Sequence, residues 1–336
     1  MKVVGCGECG GERIIGIGLR TRYARLICAS IWIMALATTL TASLGASQSD
    51  GKDALAADGI VAEGPQYNTT HVYVAPADLD TFVNSFVATF GGKPSKRIEG
   101  TVTPVPSNTE MQYILSPVGA LSIFAYETPV PFPYGQERTG YLVTDMDAAV
   151  KAARAAGAEV IVEPFKDPIG MDAVIQWPGG VKMQLYWHFT PPTNPPLDSV
   201  PENRVYVSRD AADNFVSSFL HFAHGKVLGD DRQADAGEIG RAGETYRRIR
   251  VTSLFGNMVV LVTDGHLPYP FGLETTGYQV RDLGVTLAKA KAAGVKVLSA
   301  TFKARDRNTA IVEFPGGYKA EVHEIVPPKS RDRSSN

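Results

Sequence analysis

Two stretches of the sequence alternate chemically capable side chains with apolar ones: Gln184, Tyr186 and His188 in one, Glu321 and His323 in the other. Every second side chain of a strand points to the same face. Each stretch therefore presents amide, phenol, imidazole or carboxylate groups together, either to a ligand or to solvent. Glu321 is the candidate catalytic residue, because a carboxylate can take a proton from a bound carbon acid. His71 stands at a strand start, where it is a metal ligand or a hydrogen-bonded, half-exposed histidine. Arg138 and Arg204 occupy inward strand positions, and a buried guanidinium needs an acidic partner. That partner is a substrate carboxylate or phosphate, or a structural acid such as Glu137 or Asp210. Phe132 and Tyr269 share one position in two proline-bounded loops, 129–135 and 266–272. Stacking on an aromatic ligand and filling an interdomain corner are both open to them. Gln184, Tyr141 and Tyr278 complete the candidate substrate contacts. The sequence contains no Gly-rich phosphate loop and no Gly-x-Ser-x-Gly motif, so no nucleotide cofactor and no serine nucleophile are expected.

These residues sit in a duplicated chain. Residues 131–186 match 268–323 without a gap: Pro131, Pro133, Gly135, Glu137, Thr139, Gly140, Tyr141, Val143 and Asp145 return as Pro268, Pro270, Gly272, Glu274, Thr276, Gly277, Tyr278, Val280 and Asp282. Pro178-Gly179-Gly180 returns as Pro315-Gly316-Gly317, and Val72-Tyr73-Val74 as Val205-Tyr206-Val207. So long a period describes two domains rather than a solenoid.

Each half divides again into two modules. His71 to Val74 is a short strand, Asp78 opens a helix lined by Leu79, Phe82, Val83 and Phe86, and Gly91-Gly92 closes it. The second module repeats the plan, with Asp145 as cap, Gly157 as stop and Pro178-Gly179-Gly180 as hairpin turn. Arg204 to Val262 and Thr275 to Ile325 give the third and fourth. Strand, helix and about three strands per module define an α+β fold: four βαβββ modules, paired into two cup-shaped mixed sheets with helices outside.

The first 46 residues read as a leader. Arg20, Arg22 and Arg25 precede an apolar run from Leu26 to Leu40, followed by small residues. This is the pattern of a secretory signal peptide cleaved between Ser43 and Ser47, and about 15 apolar residues fall short of the roughly 20 that span a bilayer. Residues 47–66 are expected to be flexible, 67–189 to form the first domain, 190–202 a Pro-rich linker, 203–327 the second domain and 328–336 a disordered tail. Cys6, Cys9 and Cys28 all lie in the leader, which leaves a periplasmic or secreted chain without disulfide or thiol nucleophile. A net charge of −2 with mixed signs gives no footprint for nucleic acid. No membrane partner is expected after cleavage.

The modular pattern resembles the vicinal oxygen chelate superfamily, which includes glyoxalase I, bleomycin-resistance proteins and extradiol dioxygenases. The resemblance covers Tyr67 to about Pro327. It implies a small-molecule ligand in each cup and a divalent metal held by residues on the first and last strands of paired modules. The matching first-strand positions are His71, Arg138, Arg204 and Thr275. On the last strands they are Ile123, Gln184, Val260 and Glu321. Pairing module one with two and three with four gives neither cup three ligands. Pairing one with four would bring His71 and Glu321 together as a partial metal site and set Arg138 and Arg204 before an anion. The linker permits both pairings, since about a dozen residues reach roughly 40 Å in extended form. Two functions follow. One is an exported glyoxalase-like lyase or isomerase acting on a small oxygenated or anionic molecule through a metal on His71 and Glu321. The other is a metal-free, non-catalytic binder of bleomycin-resistance type. A dioxygenase is disfavoured because its two-histidine, one-carboxylate iron site cannot be assembled from these positions. Four modules in one chain allow a monomer as well as a homodimer.

Overall fold

The computed structural model describes residues 59–326, which belong to one compact unit; the leader, its cysteines, the cleavage region and the tail lie outside the described residues. The first module is β1 (Thr69–Val74), α1 (Leu79–Phe90), β2 (Lys93–Pro94), β3 (Ile98–Gly100), β4 (Thr109–Ser116) and β5 (Gly119–Tyr126). The second is β6 (Thr139–Leu142), α2 (Met146–Ala155), β7 (Glu159–Lys166), β8 (Gly170–Gln176) and β9 (Lys182–His188). The third is β10 (Glu202–Val207), α3 (Ala212–Ala223), β11 (Lys226–Asp235), β12 (Thr245–Ser253) and β13 (Gly256–Val262). The fourth is β14 (Thr275–Gln279), α4 (Leu283–Ala292), β15 (Lys296–Val297), β16 (Phe302–Lys303), β17 (Arg307–Glu313) and β18 (Lys319–Ile325).

Helix starts follow the sequence where a short polar side chain can accept. Asp145 accepts from the Ala148 amide at 2.7 Å and Asp282 from the Val285 amide at 2.8 Å, satisfying donors that a helix leaves free. Asp78 does not cap its helix: a 3-10 turn over Pro76–Asp78 leads into α1 without a side-chain cap. Residues 59–66 are not a loose segment. Val61 is buried, Ala62 bridges to Val143, and the Glu63 amide donates to Leu142. Glu202, assigned to the linker, opens β10.

Modules pair in sequence order. Modules one and two form a nine-stranded sheet, ordered β2-β4-β5-β1-β6-β9-β8-β7 with β3 on β4; modules three and four form its repeat, β11-β12-β13-β10-β14-β18-β17-β15 with β16 on β17. In each sheet the two modules meet through an antiparallel pair, β1 with β6 and β10 with β14. The hydrophobic cores follow the other pairing. One joins Phe82 and Phe86 of α1 to Tyr278, Phe314 and Tyr318 of module four; a second joins Met146 and Trp177 of module two to Phe215, Phe219 and Val260 of module three. The helix-covered faces of the two sheets thus pack on each other, and each concave face is left for a site. No helix among the described residues is long and apolar enough to cross a membrane.

Because each core draws on both halves, the described region should unfold as one cooperative unit. Phe86 is fully buried, and Phe86→Ala is expected to cost about 3–5 kcal/mol, lowering the urea midpoint of a single transition. A separate transition for one half would contradict the shared core.

Candidate functional site

The first cup is built by strand alternation. On β1, Val72 and Val74 enter the core, while Thr69, His71 and Tyr73 line a cavity of about 290 Å³. Across the parallel pairing, β5 sends Leu121, Ile123 and Ala125 to the core and presents Ser122, Phe124 and Tyr126 to the cavity. Gln184, Tyr186 and His188 of β9 and Asp172 of β8 complete the opposite wall. Tyr73 stacks on Phe124 at 5.3 Å and on Tyr126 at 6.2 Å, and His71 meets the Phe124 ring edge-on at 5.3 Å. Aromatic side chains recur along the walls and no Lys or Arg lines them.

Two buried acids serve this cup: Glu137, which the sequence offers only as a structural partner for an arginine, and Asp172, which it does not single out. Glu137 is fully buried just ahead of β6. One of its oxygens lies 3.4 Å from His71 Nδ1 and accepts from the Tyr73 hydroxyl, while the other has no partner. With Nδ1–H directed to Glu137, His71 Nε2 is left as an acceptor on the Gly140 side. Burial, with Asp167 and Glu137 adding to it, pushes the Asp172 carboxyl well above its ordinary range, against a hydrogen bond from Gln184. The Tyr134 hydroxyl, also buried, has no partner. Burial lowers His188, with Asp167 opposing.

The second cup carries its own counter-charges. Its 3-10 turn Ala236–Ile239 packs Ala236 and Ile239 against Ala234, Tyr246, Val259 and Leu261. Arg204, on β10 where β1 carries His71, reaches Glu238 at 2.8 Å, Glu202 at 3.4 Å and Glu321 at 3.7 Å. Arg248 pairs with Glu238 at 2.9 Å and Arg307 with Glu202 at 2.7 Å, so three guanidinium groups meet three carboxylates. Glu321 also accepts from Thr309 and lies 2.7 Å from His323 Nδ1. Burial opposes its ionisation, but Arg204, His323 and Arg307 outweigh it and hold the carboxyl down at about 2. A cavity of about 350 Å³ lies beside this network, between Gly237, Phe271 and Phe302.

The structure separates several residues that the sequence grouped. His71 and Glu321 do not meet: β1 and β18 belong to different sheets, because module one pairs with two. Arg138 does not line the first cavity; it acts on Glu274, whose carboxyl burial raises to about 8 despite the opposing pull of Arg138. Arg204 faces its own carboxylates rather than an anion. Tyr141 stacks on Phe255 at 4.6 Å and Tyr278 shares a hydroxyl contact of 2.9 Å with Tyr318, so both are core residues. Phe132 and Tyr269 are 75% and 67% exposed and line neither cup; Tyr269 donates to Glu313 instead. Ile123 and Val260 point into the cores, one pleat away from the cup positions. Of the sequence candidates, His71, Gln184, Tyr186 and His188 share the first cavity.

The donor set does not fit a catalytic metal. The first-strand position of module two that faces His71 is Gly140, where a Cβ would stand 2.4 Å from His71 Nε2; its repeat, Gly277, would crowd Glu321 at 2.8 Å. The cups therefore offer His71, Gly140 and Gln184, or Arg204, Gly277 and Glu321, short of the three protein donors such a site needs. Among the described residues no three His, Cys, Asp or Glu side chains converge as ligands.

No protein-family model matches the chain, and no curated protein matches it in sequence. Solved structures do resemble it. A mutant of 4-hydroxymandelate synthase from Streptomyces coelicolor superposes with a TM-score of 0.54 at 12% identity, over 81% of this chain and 94% of that one. An extradiol ring-cleaving dioxygenase from B. fuscum gives 0.52 at 11%, over 82% and 76%. Homoprotocatechuate 2,3-dioxygenase from Arthrobacter globiformis gives 0.51 at 12%, over 80% and 83%. At such identities the likeness is one of fold.

The second cup's ion network should register in acid. Glu321 is depressed from 4.5 to about 2, so the stability it contributes is present above its unfolded pKa and is lost as pH falls through the folded value. The shift corresponds to on the order of 3 kcal/mol. Glu321→Gln is expected to be less stable than the parent at about pH 7, with the gap in urea midpoint closing towards about pH 2; a pH-independent gap would refute the ionised network.

Proposed function

We propose that this chain, a vicinal oxygen chelate fold in two tandem halves, binds a small molecule with an aromatic or apolar body in its first cup, without a metal. The observation that carries this reading is the cavity between β1, β5, β8 and β9, walled by Tyr73, Phe124 and Tyr126 and floored by His71 and Gln184. Pockets of this kind, mostly apolar with a few placed polar groups, are ordinary ligand sites. The absence of Lys and Arg from its lining argues against the anionic ligand that Arg138 and Arg204 suggested. Modules one and two complete the cup within one chain, so a monomer suffices.

A proton-transfer activity is the second reading, and the His71–Glu137 contact favours it. An imidazole oriented through Nδ1 leaves Nε2 to accept a proton from a bound molecule. Glu321 has no part in it, since it is fully buried in the other cup and paired. His71→Ala would then abolish turnover of a bound substrate while leaving its affinity within a few-fold. We also propose export, on the Arg20 to Leu40 pattern; mass spectrometry of periplasmic protein should find an N-terminus between residues 43 and 47, and an intact leader would refute it.

Binding is testable with the neutral fluorophore N-phenylnaphthylamine. The protein is expected to enhance its emission saturably, with the same Kd before and after exhaustive chelation. Phe124→Ala, which removes part of the aromatic wall, is expected to weaken binding by about tenfold, or 1.4 kcal/mol. Loss of binding on chelation, restored by a divalent metal, would overturn the metal-free reading.

A further inference from the structure

The two halves treat buried acids in opposite ways. In the second cup Glu238 is 5% exposed and is answered by Arg204 and Arg248. In the first cup Asp172 is equally buried and Glu137 more so, yet no Lys or Arg lines the cavity. Buried carboxylates are stable when paired and costly when not. Asp172 has instead the Gln184 amide beside it and two further acids, Asp167 and Glu137, as electrostatic neighbours. The unfavourable environment of its charged form is what a missing counter-cation produces. Independent observations point to something that enters here. Tyr134 lines the cavity and is more than nine-tenths buried with its hydroxyl unpartnered, and behind the wall one oxygen of Glu137 is likewise unpartnered. Tyr73, Phe124 and Tyr126 form one stacked group along the cavity, and such faces attract cations through the ring quadrupole.

We propose that the ligand of the first cup is an organic cation, a protonated or quaternary amine on an apolar or aromatic body, with its charge met by Asp172 and Asp167 and its body against Tyr73, Phe124 and Tyr126. The assignment rests on the metal-free ligand-binding reading of the same cup and specifies the chemistry of its occupant. Asp172 supplies the charge contact from β8, Asp167 strengthens it from the turn between β7 and β8, and Glu137 acts from behind His71 and Tyr73. The cationic end thus belongs on the β8 side of the cavity and the apolar body on the β1–β5 side.

The test uses three probes of one shape: benzyltrimethylammonium, neopentylbenzene, in which carbon replaces the nitrogen, and phenylmethanesulfonate. Each is titrated against bound N-phenylnaphthylamine. The cation is expected to displace the fluorophore at a concentration about tenfold lower than its neutral isostere, with the sulfonate weakest. Asp172→Asn should remove most of that advantage and leave the neutral value unchanged, while Phe124→Ala should weaken both. Equal displacement by cation and isostere, or a preference for the sulfonate, overturns the cation assignment and leaves the aromatic cup standing. Failure of N-phenylnaphthylamine itself to bind, with no heat on direct calorimetric titration of any probe, overturns the ligand site along with it. The comparison of isosteres on the parent protein decides the question even if Asp172→Asn does not fold.

Discussion

The convex faces of the two nine-stranded sheets are covered by cores that both halves share, and the rest of the architecture follows from that sharing. Each half lends its helices to the other. Phe82 and Phe86 of α1 meet Phe314 and Tyr318 of module four, and Phe215 and Phe219 of α3 meet Tyr141 and Trp177 of module two. Backbone pairing therefore joins modules one to two and three to four, while the hydrophobic cores join one to four and two to three. Burial of this apolar surface is the dominant favourable term, and it fixes the halves helix-face to helix-face. The cups are left on the other faces, where their chemistry can diverge without disturbing the core.

They have diverged at matched positions. His71 in the first cup is Arg204 in the second, Gln184 is Glu321, and the glycine between them, Gly140 or Gly277, is the same in both. That glycine admits the neighbouring side chain: a Cβ at either place would collide with His71 Nε2 or with Glu321. It also supplies no ligand atom. With a metal's donor set broken in both halves, each cup meets its charges differently. The second brings its own cation, and Arg204 holds Glu321 ionised despite complete burial. Buried ion networks of this kind are weak evidence for added stability, but removing one partner is costly because the other is left charged and unpaired.

How much of this could be read from the sequence depends on how sharply each signal is written. The duplication, the caps at Asp145 and Asp282, the hairpins at Pro178 and Pro315 and the alternation of Gln184, Tyr186 and His188 are local patterns, and the structure has the cap contacts and the pleat that they specify. Inner and outer faces were illegible where a strand is apolar on both. Within Gly119–Tyr126 and Gly256–Val262 the pleat is marked by little beyond Ser122 and Asn257, and Ile123 and Val260, which alignment puts at cup positions, enter the cores. Arg138 failed for a different reason: in the second module the residue that faces His71 lies two positions further on, and it is a glycine. Recurrence misled for Tyr141 and Tyr278, because a duplicated fold preserves its packing residues whether or not they touch a ligand. A signal for the two acids of the first cup was present. Glu137 recurs as Glu274, and Asp172 is the lone charge in the strand Gly170–Gln176.

The difference between the cups comes down to how their buried charges are met. In the second half the turn Ala236–Ile239 enters the concave face, with Ile239 supplying apolar bulk and Glu238 the partner for Arg204. Val259 and Leu261 of β13 meet it as aliphatic neighbours. In the first half the corresponding positions on β5 are Ser122 and Phe124, and they face a cavity. The second cup keeps a cavity of about 350 Å³, but one bordered by Glu238, an acid that its own arginines answer; the first bears Asp172 in its wall and Glu137 behind it, both buried and with no Lys or Arg in the lining. Such groups cost free energy in the empty protein, and a ligand that satisfies them recovers that cost on binding. The same duplicated scaffold thus supports one half that neutralises its buried acids with its own arginines and another whose buried acids have no Lys or Arg in the cavity wall.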